Sequence, residues 1–512
     1  MIAICSRSAL VVSLIVLATP ELSGQDAPER RNILLIVADD VGVDQLASYG
    51  VGADLPYTPV LDALAQDGVQ FRNAWSNPVC STTRATILTG RYSFRTGMGY
   101  VPLRSFLISP EELFLPEALD REVTGYAHAA IGKWHLPANP LNEAAAPMTA
   151  GFDYYSGSLG NVVPPNTDYY QWKQTINGVT TATSGYLTTR TADDAAAWIN
   201  GAPEPWFCYV AFNSAHAPFH TPPVGTFTVD LSQAGDPSVD PRPYYKAMIE
   251  SLDYEMGRLF EAIRGQLGNT TIVFVGDNGT PTDVTVAPFL PSHAKGTIYQ
   301  GGVNVPLIIS GVDAVAKGVE CNALVSTVDI FATVAELTGA KGAFNPSAFD
   351  LPNDSSDEAS PLTASSGGPF DPTSWLPSST EPKRPLLSPV PPPIVNIDGV
   401  SLVPYLVAPD QPSLRRVIFA ELFRPNGFGP KTVCRLTIRN RRYKYLYNDP
   451  PTQTPELGPG VSGLPSTGAE EFYDLLADPF ELNNLLDKPV LTEFESLAYA
   501  DLKIQLATIL SK

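Results

Sequence analysis

The sequence predicts an α/β fold with a large mixed, mainly parallel sheet flanked by helices, plus a smaller C-terminal antiparallel sheet with a helix. Between about residues 31 and 340, short apolar runs alternate with segments of helical periodicity. Continuous apolar runs are typical of strands buried on both faces, as in a parallel sheet covered by helices. Residues 341–394 hold 12 of the chain's 49 prolines, a composition from which no packed core can be built.

These patterns divide the chain into four parts. They are a signal peptide over residues 1–24, the main α/β domain over 25–340, a Pro/Ser-rich insertion or linker over 341–394, and a smaller α+β subdomain over 395–512.

The predicted strands and helices follow from the spacing of apolar residues. In the main domain the strands are residues 33–37, 129–131, 207–212, 271–275 and 305–309. Apolar positions three and four residues apart predict helices over residues 58–68 and 245–267. The smaller sheet is predicted from residues 416–422, 433–439 and 443–447, with a closing helix over 492–509.

The N-terminus has the pattern of a cleaved signal peptide. Arg7 precedes an apolar stretch over residues 10–18, and small residues stand near Ala18 and Gly24. This stretch is too short for a helix that spans a bilayer, which needs about 20 residues. No later stretch is long and apolar enough either. We therefore expect a secreted or periplasmic protein without stable membrane insertion; the alternative for the leader is a buried N-terminal strand.

The composition excludes several classes of protein. Hydrophobic residues make up 44% of the chain, which is ample for a core and excludes wholesale disorder. The net charge of −20 argues against nucleic acid binding through a broad basic face. The same charge repels an anionic substrate, so a few local cations must capture one. Five cysteines in 512 residues exclude a scaffold built on disulfides.

Acidic side chains follow two of the predicted strands. Asp39 and Asp40 come after the first strand, and Asp277 and Asn278 come after the fourth. If the strands are parallel neighbours, these groups converge at one edge of the sheet, where ligands bind in open α/β folds. Adjacent carboxylates repel unless a cation lies between them, and an all-oxygen set suits Ca²⁺ or Mg²⁺ better than zinc. Each pair taken alone is also a common helix cap or turn.

Basic side chains follow two further strands. Lys133 and His135 come after the strand at 129–131, and His216 comes after the strand at 207–212. In a parallel sheet these groups are expected at the same edge as the carboxylates.

Cys80 lies where a loop is predicted to enter a helix, because residues 83–88 have helical spacing and Gly90 is a stop signal. A helix N-terminus supplies partial positive charge and free N–H groups, which favour anions and activate a nucleophile. Arg84 lies one turn later on the same face. The alternative for Cys80 is a buried structural thiol.

The segment from Cys80 to Arg91 reads C-x-x-x-R-x-x-x-x-T-G-R, and it stands in one order with GKWHL, HAP, GDNG, KGTIYQGG and DGVSLVPYL. In this ordered set the chain resembles the sulfatase family, within the alkaline-phosphatase superfamily, over most of its length after the predicted signal peptide. The resemblance implies hydrolysis of sulfate esters by a formylglycine nucleophile, made from Cys80 by a formylglycine-generating enzyme. The chain departs from the family pattern at Thr82, Gln300 and Asn304.

The resemblance also implies a role for each matching residue. It places one Ca²⁺ ion, with Mg²⁺ as the alternative, on five residues: Asp39, Asp40, Cys80, Asp277 and Asn278. It assigns the reaction to a second set: Cys80, Arg84, Lys133, His135, His216 and Lys295. The implied substrate is a carbohydrate or other small-molecule sulfate ester.

Two other functions stay open on the sequence. The same nucleophile would act on phosphonate monoesters or phosphodiesters, because these anions are tetrahedral like sulfate. With Cys80 unmodified, which Thr82 keeps open, the chain would be a non-catalytic anion-binding protein. His293 is not part of the family pattern, and we treat it as a hypothetical substrate contact, with a solvated loop histidine as the alternative.

Overall fold

The computed structural model describes residues 30–101, 108–109, 111–123, 125–137, 141–340, 342, 344–346, 395–449 and 470–511. The predicted signal peptide and most of the predicted insertion lie outside the described residues, and the division into domains stays a prediction. Within these ranges, no helix combines the length and apolar character that a membrane span requires.

The larger sheet contains ten strands: β1 (Asn32–Ala38), β2 (Gly68–Trp75), β3 (Ala127–Gly132), β4 (Tyr154–Gly157), β5 (Gln171–Ile176), β6 (Val179–Ser184), β7 (Trp206–Ala211), β8 (Thr270–Gly276), β9 (Leu307–Gly311) and β10 (Val319–Ser326). Their spatial order is β10-β2-β9-β8-β1-β7-β3-β4-β5-β6. Parallel pairing joins β8, β1, β7, β3 and β4 in that order, and also β2 with β10. β9, β5 and β6 run antiparallel to their neighbours. The predicted mixed, mainly parallel sheet is confirmed.

The helices of the described residues are α1 (Pro59–Gln66), α2 (Cys80–Thr89), α3 (Ser93–Thr96), α4 (Leu115–Glu122), α5 (Ala146–Thr149), α6 (Leu187–Gly201), α7 (Arg242–Ala262), α8 (Gln300–Val303), α9 (Asp329–Thr338), α10 (Val403–Val407) and α11 (Glu493–Ser511). Helices cover both faces of the larger sheet. Since successive residues of a strand point to opposite faces, β1 contributes side chains to a separate apolar core on each face. Leu35 and Val37 of β1 join a core with α2, α4 and α9, whereas Leu34 and Ile36 join a second core with α1, α6 and α7. Each such side chain, fully buried, contributes roughly 1.5–3 kcal/mol.

Two smaller sheets follow the larger one. The first is a parallel pair at the ends of the predicted insertion: β11 (Phe344–Pro346) and β12 (Val395–Ile397). The second has four antiparallel strands in sequence order: β13 (Ile418–Arg424), β14 (Val433–Arg439), β15 (Tyr443–Asp449) and β16 (Glu470–Asp474). Leu502, Leu506 and Ile509 of α11 pack against this sheet. The predicted C-terminal antiparallel sheet with a closing helix is confirmed.

Several strands differ from the sequence expectation, and two of them show the reason. β2 begins at Gly68, where the sequence predicts only the end of a helix, because Gln70, Arg72 and Asn73 interrupt the apolar run that marks a strand. β9 lies two residues beyond the predicted 305–309 and runs antiparallel to both of its neighbours. An apolar run predicts burial, but it does not predict strand direction.

A buried ion pair fastens the segment after β12 to α9. Arg415 Nε lies 3.0 Å from both carboxylate oxygens of Asp329. The same carboxylate accepts hydrogen bonds from the backbone N–H groups of Ser326 at 2.8 Å and Val400 at 2.9 Å. One carboxylate therefore joins β10, α9 and the chain that returns after the predicted insertion.

Arg415→Ala should lower the free energy of unfolding by about 3–5 kcal/mol, because it leaves the buried carboxylate of Asp329 without its counter-charge. Urea denaturation measures this loss. The control is Arg264→Ala, since Arg264 pairs with Glu261 on the surface and such exposed pairs contribute little. Equal effects of the two substitutions would contradict the assignment.

Candidate active site

Three carboxylates and one amide meet where β1 and β8 end. The two strands are parallel neighbours that pair in register to their last residues, so Asp39 and Asp277 begin adjacent loops. The backbone N–H of Asp40 donates to Asp277 Oδ1 at 3.1 Å, and Asn278 Nδ2 donates to Asp40 Oδ1 at 2.7 Å. All four side chains are buried. The two acidic pairs predicted from separate strand ends thus form one cluster.

Cys80 lies beside this cluster as the first residue of α2. Its Sγ and carboxylate oxygens of Asp39 and Asp277 all lie within 4.8 Å of one another. The helix starts without a side-chain cap and ends at Gly90, whose φ of 67° is a left-handed conformation that favours glycine. The partial positive charge of the helix N-terminus therefore lies next to the carboxylates.

Three cations balance the three carboxylates. Arg84 Nη2 donates to Asp277 Oδ2 at 2.7 Å and lies 3.7 Å from Asp39 Oδ2. Lys133 Nζ donates to Asp39, and Lys295 Nζ lies 2.5 Å from Asp40 Oδ1. The Arg84 and Lys133 side chains are completely buried, whereas that of Lys295 is 17% exposed.

Two histidines complete the cluster. His135 Nδ1 lies 3.2 Å from Cys80 Sγ. His216 Nε2 lies 4.0 Å from Asp40 Oδ2, and its Nδ1 lies 2.6 Å from the carbonyl oxygen of Ala217. His135 and His216, like Lys295, are only half-buried. The structure therefore brings together all ten predicted site residues, with these three on the more accessible side.

Burial and charge shift the pKa values in opposite directions across the cluster. Burial raises the pKa of Asp39, but the nearby cations outweigh it, Lys133 most of all, and hold this pKa well below its usual range. Burial and then the charge of Asp39 raise the pKa of Asp277. Burial, with Lys295 adding to it, lowers the pKa of His216 to about 4, and burial raises the pKa of the Cys80 thiol. The carboxylates thus compete for the available positive charge.

The cluster has the donors and the unsatisfied atoms of a site for a hard cation. Asp39 Oδ1 and Asn278 Oδ1 are buried and accept no hydrogen bond from the described residues. A buried oxygen without a partner is costly, and a divalent cation would satisfy both atoms. Carboxylate and amide oxygens are the ligands that Ca²⁺ and Mg²⁺ prefer. The residues present therefore fit the predicted ion.

Sequence reasoning missed the residues that hold His216. Tyr169 OH lies 2.6 Å from the carbonyl oxygen of Asn213 and 2.7 Å from that of His216. Asn161 Nδ2 lies 3.3 Å from His216 Nε2. The one sequence signal for Tyr169 is the aromatic-rich stretch over residues 153–172, which could stack on a sugar or pack in the core.

Two further sequence-derived residues have defined surroundings. Thr82 is buried in α2, where its hydroxyl donates to the carbonyl oxygen of Val79 at 2.7 Å. His293 is buried, and its ring stacks on Tyr299 with the centroids 3.8 Å apart. The expectation of a solvated loop side chain at His293 is therefore wrong, and its contact with a substrate stays a hypothesis.

Comparisons with known proteins place this chain in a family. The sulfatase family model matches residues 31–340. N-acetylgalactosamine-6-sulfatase of Sus scrofa is 30% identical over 365 residues, which are 64% of this chain and 66% of that enzyme, so the match spans less than two thirds of the relative. The ulvan-active sulfatase of Formosa agariphila is 27% identical over 96% of this chain and 84% of its own length. A solved structure in complex with its substrate D-glucosamine-2-N,6-O-disulfate has a TM-score of 0.62 at 18% identity, covering 94% of this chain and 98% of that one, and it supports the fold.

Asp277→Ala should weaken Ca²⁺ binding by about a hundredfold or more, because it would remove one of the predicted charged ligands and leave the buried Arg84 without its closest carboxylate. Equilibrium dialysis with metal analysis measures this. Asp67→Ala, which removes an exposed carboxylate paired with Lys317, is the control and should retain the ion. Normal Ca²⁺ binding by a folded Asp277→Ala protein would remove Asp277 from the ligand set.

Proposed function

Because the chain belongs to the sulfatase family, we propose that it hydrolyses sulfate esters at the cluster around Asp39, Cys80 and Asp277. The observation that carries this proposal is the position of Cys80. It lies at the N-terminus of α2, within 4.8 Å of two buried carboxylates and 3.2 Å from His135. A structural thiol needs neither neighbour, whereas a base and a bound cation each activate a nucleophile.

We infer that the cation is Ca²⁺, held by Asp39, Asp40, Asp277 and Asn278 with a hydroxyl of modified Cys80. When bound, it supplies positive charge that draws electron density from the sulfate group and orients the nucleophile. The four protein side chains provide only oxygen ligands, which favours Ca²⁺ or Mg²⁺ over zinc.

We also propose that Cys80 is oxidised to formylglycine by a formylglycine-generating enzyme, its partner during maturation. Hydrated formylglycine has two hydroxyls. One gives its proton to the adjacent carboxylate of Asp277 and attacks sulfur, while the other remains to expel the sulfate group. Arg84 pairs with Asp277 and Lys133 pairs with Asp39, and these pairs neutralise the carboxylates beside the modified Cys80. The two cations thereby steady the nucleophile. Their complete burial means that they keep this arrangement without reorganisation during the reaction.

The remaining groups handle the protons and the anion. His216 and Lys295, on the accessible side of the cluster, bind the sulfate group. The charged Lys295 protonates the ester oxygen as its bond to sulfur breaks, and His216 assists once the negative charge of the bound ester has raised its low pKa. His135, 3.2 Å from Cys80 Sγ, takes the proton of the second hydroxyl, so that the carbon–oxygen bond to the sulfate group breaks and sulfate leaves. The aldehyde that remains then adds water to restore the hydrate.

We propose a carbohydrate sulfate ester as the substrate. The named relatives include an N-acetylgalactosamine-6-sulfatase and an ulvan-active sulfatase, and a protein of the same fold has D-glucosamine-2-N,6-O-disulfate as its substrate. A secreted or periplasmic location, which the predicted signal peptide supports, would give the protein access to extracellular polysaccharides.

Cys80→Ala should abolish hydrolysis of an aryl sulfate while leaving the melting temperature nearly unchanged, because it removes the nucleophile and little packing.

Mass spectrometry of the tryptic peptide that contains Cys80, from the native host, should show formylglycine. Only intact thiol would indicate the non-catalytic anion-binding protein instead. Faster turnover of an aryl phosphonate monoester than of the aryl sulfate would indicate the phosphonate monoester or phosphodiester hydrolase.

Tyr169→Phe should lower kcat by about tenfold and also raise KM, because the loop that carries His216, which binds the sulfate group, loses the hydroxyl that contacts two of its carbonyls. Tyr170→Phe is the matched control, since the Tyr170 hydroxyl, near the surface, bonds within the described part of the chain only to the carbonyl of Thr221, at 2.8 Å. Steady-state kinetics with both variants at equal melting temperature separates positioning from stability. Equal kcat values for the two variants would contradict the role of Tyr169.

A further inference from the structure

One cavity of the structure shares no lining residue with the proposed catalytic cluster around Asp39, Cys80 and Asp277. It has a volume of about 560 Å³ and lies between the loop after β1, strand β2 and the turn that joins β14 to β15. This volume is within the range of small-molecule binding sites, roughly 300–1,000 Å³. The catalytic mechanism proposed above gives this cavity no role.

The wall of this cavity is rich in cationic and amide groups. Its polar donors include Arg72, Asn73, Asn304, Asn322, Arg439 and Arg441. Among the described residues that line it, none is Asp or Glu. This is unexpected in a chain with 53 acidic and 33 basic residues. The local charge is therefore opposite in sign to that of the whole molecule.

Arg439 is a buried cation without an ion pair to any described carboxylate. It is 5% exposed, and its three hydrogen bonds go to uncharged oxygens: Asn73 Oδ1 at 3.2 Å, the Asn440 carbonyl at 3.0 Å and the Arg441 carbonyl at 3.1 Å. Burial lowers the pKa of Arg439 to about 10, and the more distant Glu481 opposes this only in part. A guanidinium has five N–H donors, so an anion in the cavity would find unused donors on a cation that lacks a counter-ion.

Arg72 is held only weakly by its neighbours. Its Nη1 lies 3.5 Å from Glu320 Oε1, and the Glu320 side chain is 57% exposed. Its guanidinium also lies 5.4 Å from the centre of the Tyr49 ring. Exposed ion pairs of this kind contribute little, so Arg72 can exchange this contact for one with a ligand.

We propose that this cavity is a second, non-catalytic binding site for an oxyanion group such as sulfate, either free or carried by a saccharide. Planar guanidinium groups bind tetrahedral oxyanions through paired hydrogen bonds. The apolar part of the wall, which includes Phe289, Leu475 and Phe480, would contact the carbon face of a sugar ring. A cavity of this size is larger than one oxyanion needs, which leaves room for such a ring.

Isothermal titration calorimetry with inorganic sulfate, glucose 6-sulfate and glucose tests the proposal. All proteins are full-length and carry Cys80→Ala as a background substitution that stops turnover. Arg72→Gln removes a cation, and Leu476→Glu adds a carboxylate at a lining position that is 77% exposed and tolerates change. Each should weaken binding of glucose 6-sulfate at one site by about tenfold or more. The controls are Arg264→Gln and Leu482→Glu, at exposed positions that do not line the cavity, and both should bind normally.

With Cys80 intact, Arg72→Gln and Leu476→Glu should leave kcat on a small aryl sulfate unchanged within about twofold, since neither residue belongs to the catalytic cluster. Tighter binding of glucose 6-sulfate than of inorganic sulfate would identify the saccharide-borne group as the ligand. Equal binding of the two would identify the free anion, and binding of glucose as tight as that of its sulfate would overturn the proposal. Unchanged affinity for both anions in Arg72→Gln and Leu476→Glu would also overturn it.

Discussion

The catalytic cluster depends on the balance of charge among buried groups. Asp39, Asp40 and Asp277 are taken out of water at the ends of two adjacent strands, which is costly for each carboxylate. The fully buried Arg84 and Lys133 and the more accessible Lys295 offset this cost, since each contacts a carboxylate directly. Two acceptor oxygens nevertheless stay without a partner among the described residues. The cluster is thus neutral in sum, but two of its acceptor oxygens have no partner within the described ranges, which is consistent with the proposed cation site.

The larger sheet makes this concentration of charge possible. Apolar cores cover both faces of its central strands, so polar groups of those strands gather where the strands end. Parallel pairing of β8, β1, β7 and β3 brings four strand ends to one edge, and each carries part of the cluster. Helix α2 then brings Cys80 to the same edge with its N-terminus. The site is therefore a consequence of strand order and of the covered faces.

Much of this was predictable from the sequence because its signals are local. The apolar runs of β1 and β8 and the acidic pairs that follow them lie within a few residues of each other, and the spacing from Cys80 to Arg84 is one helical turn. What the sequence did not predict depends on distant contacts. β2 carries polar residues because part of it borders a cavity, and Tyr169 acquires its role only when the chain folds against the loop after β7. The reversed direction of β9 likewise follows from its two neighbours, and no local pattern encodes it.

The net charge of −20 poses a problem that a neutral cluster does not solve. The proposed substrate, a sulfate ester, would be repelled by the molecule as a whole, and Arg84, Lys133 and Lys295 are already engaged by carboxylates. A divalent cation held by Asp39 and Asp277 would make the cluster positive in sum. It would also weaken the hold of Asp40 on Lys295, the cation on the accessible side, so that Lys295 could turn to the substrate. Metal binding and anion capture would therefore be coupled by charge alone, and the carboxylates proposed to bind the metal would also set how strongly the site attracts a sulfate ester.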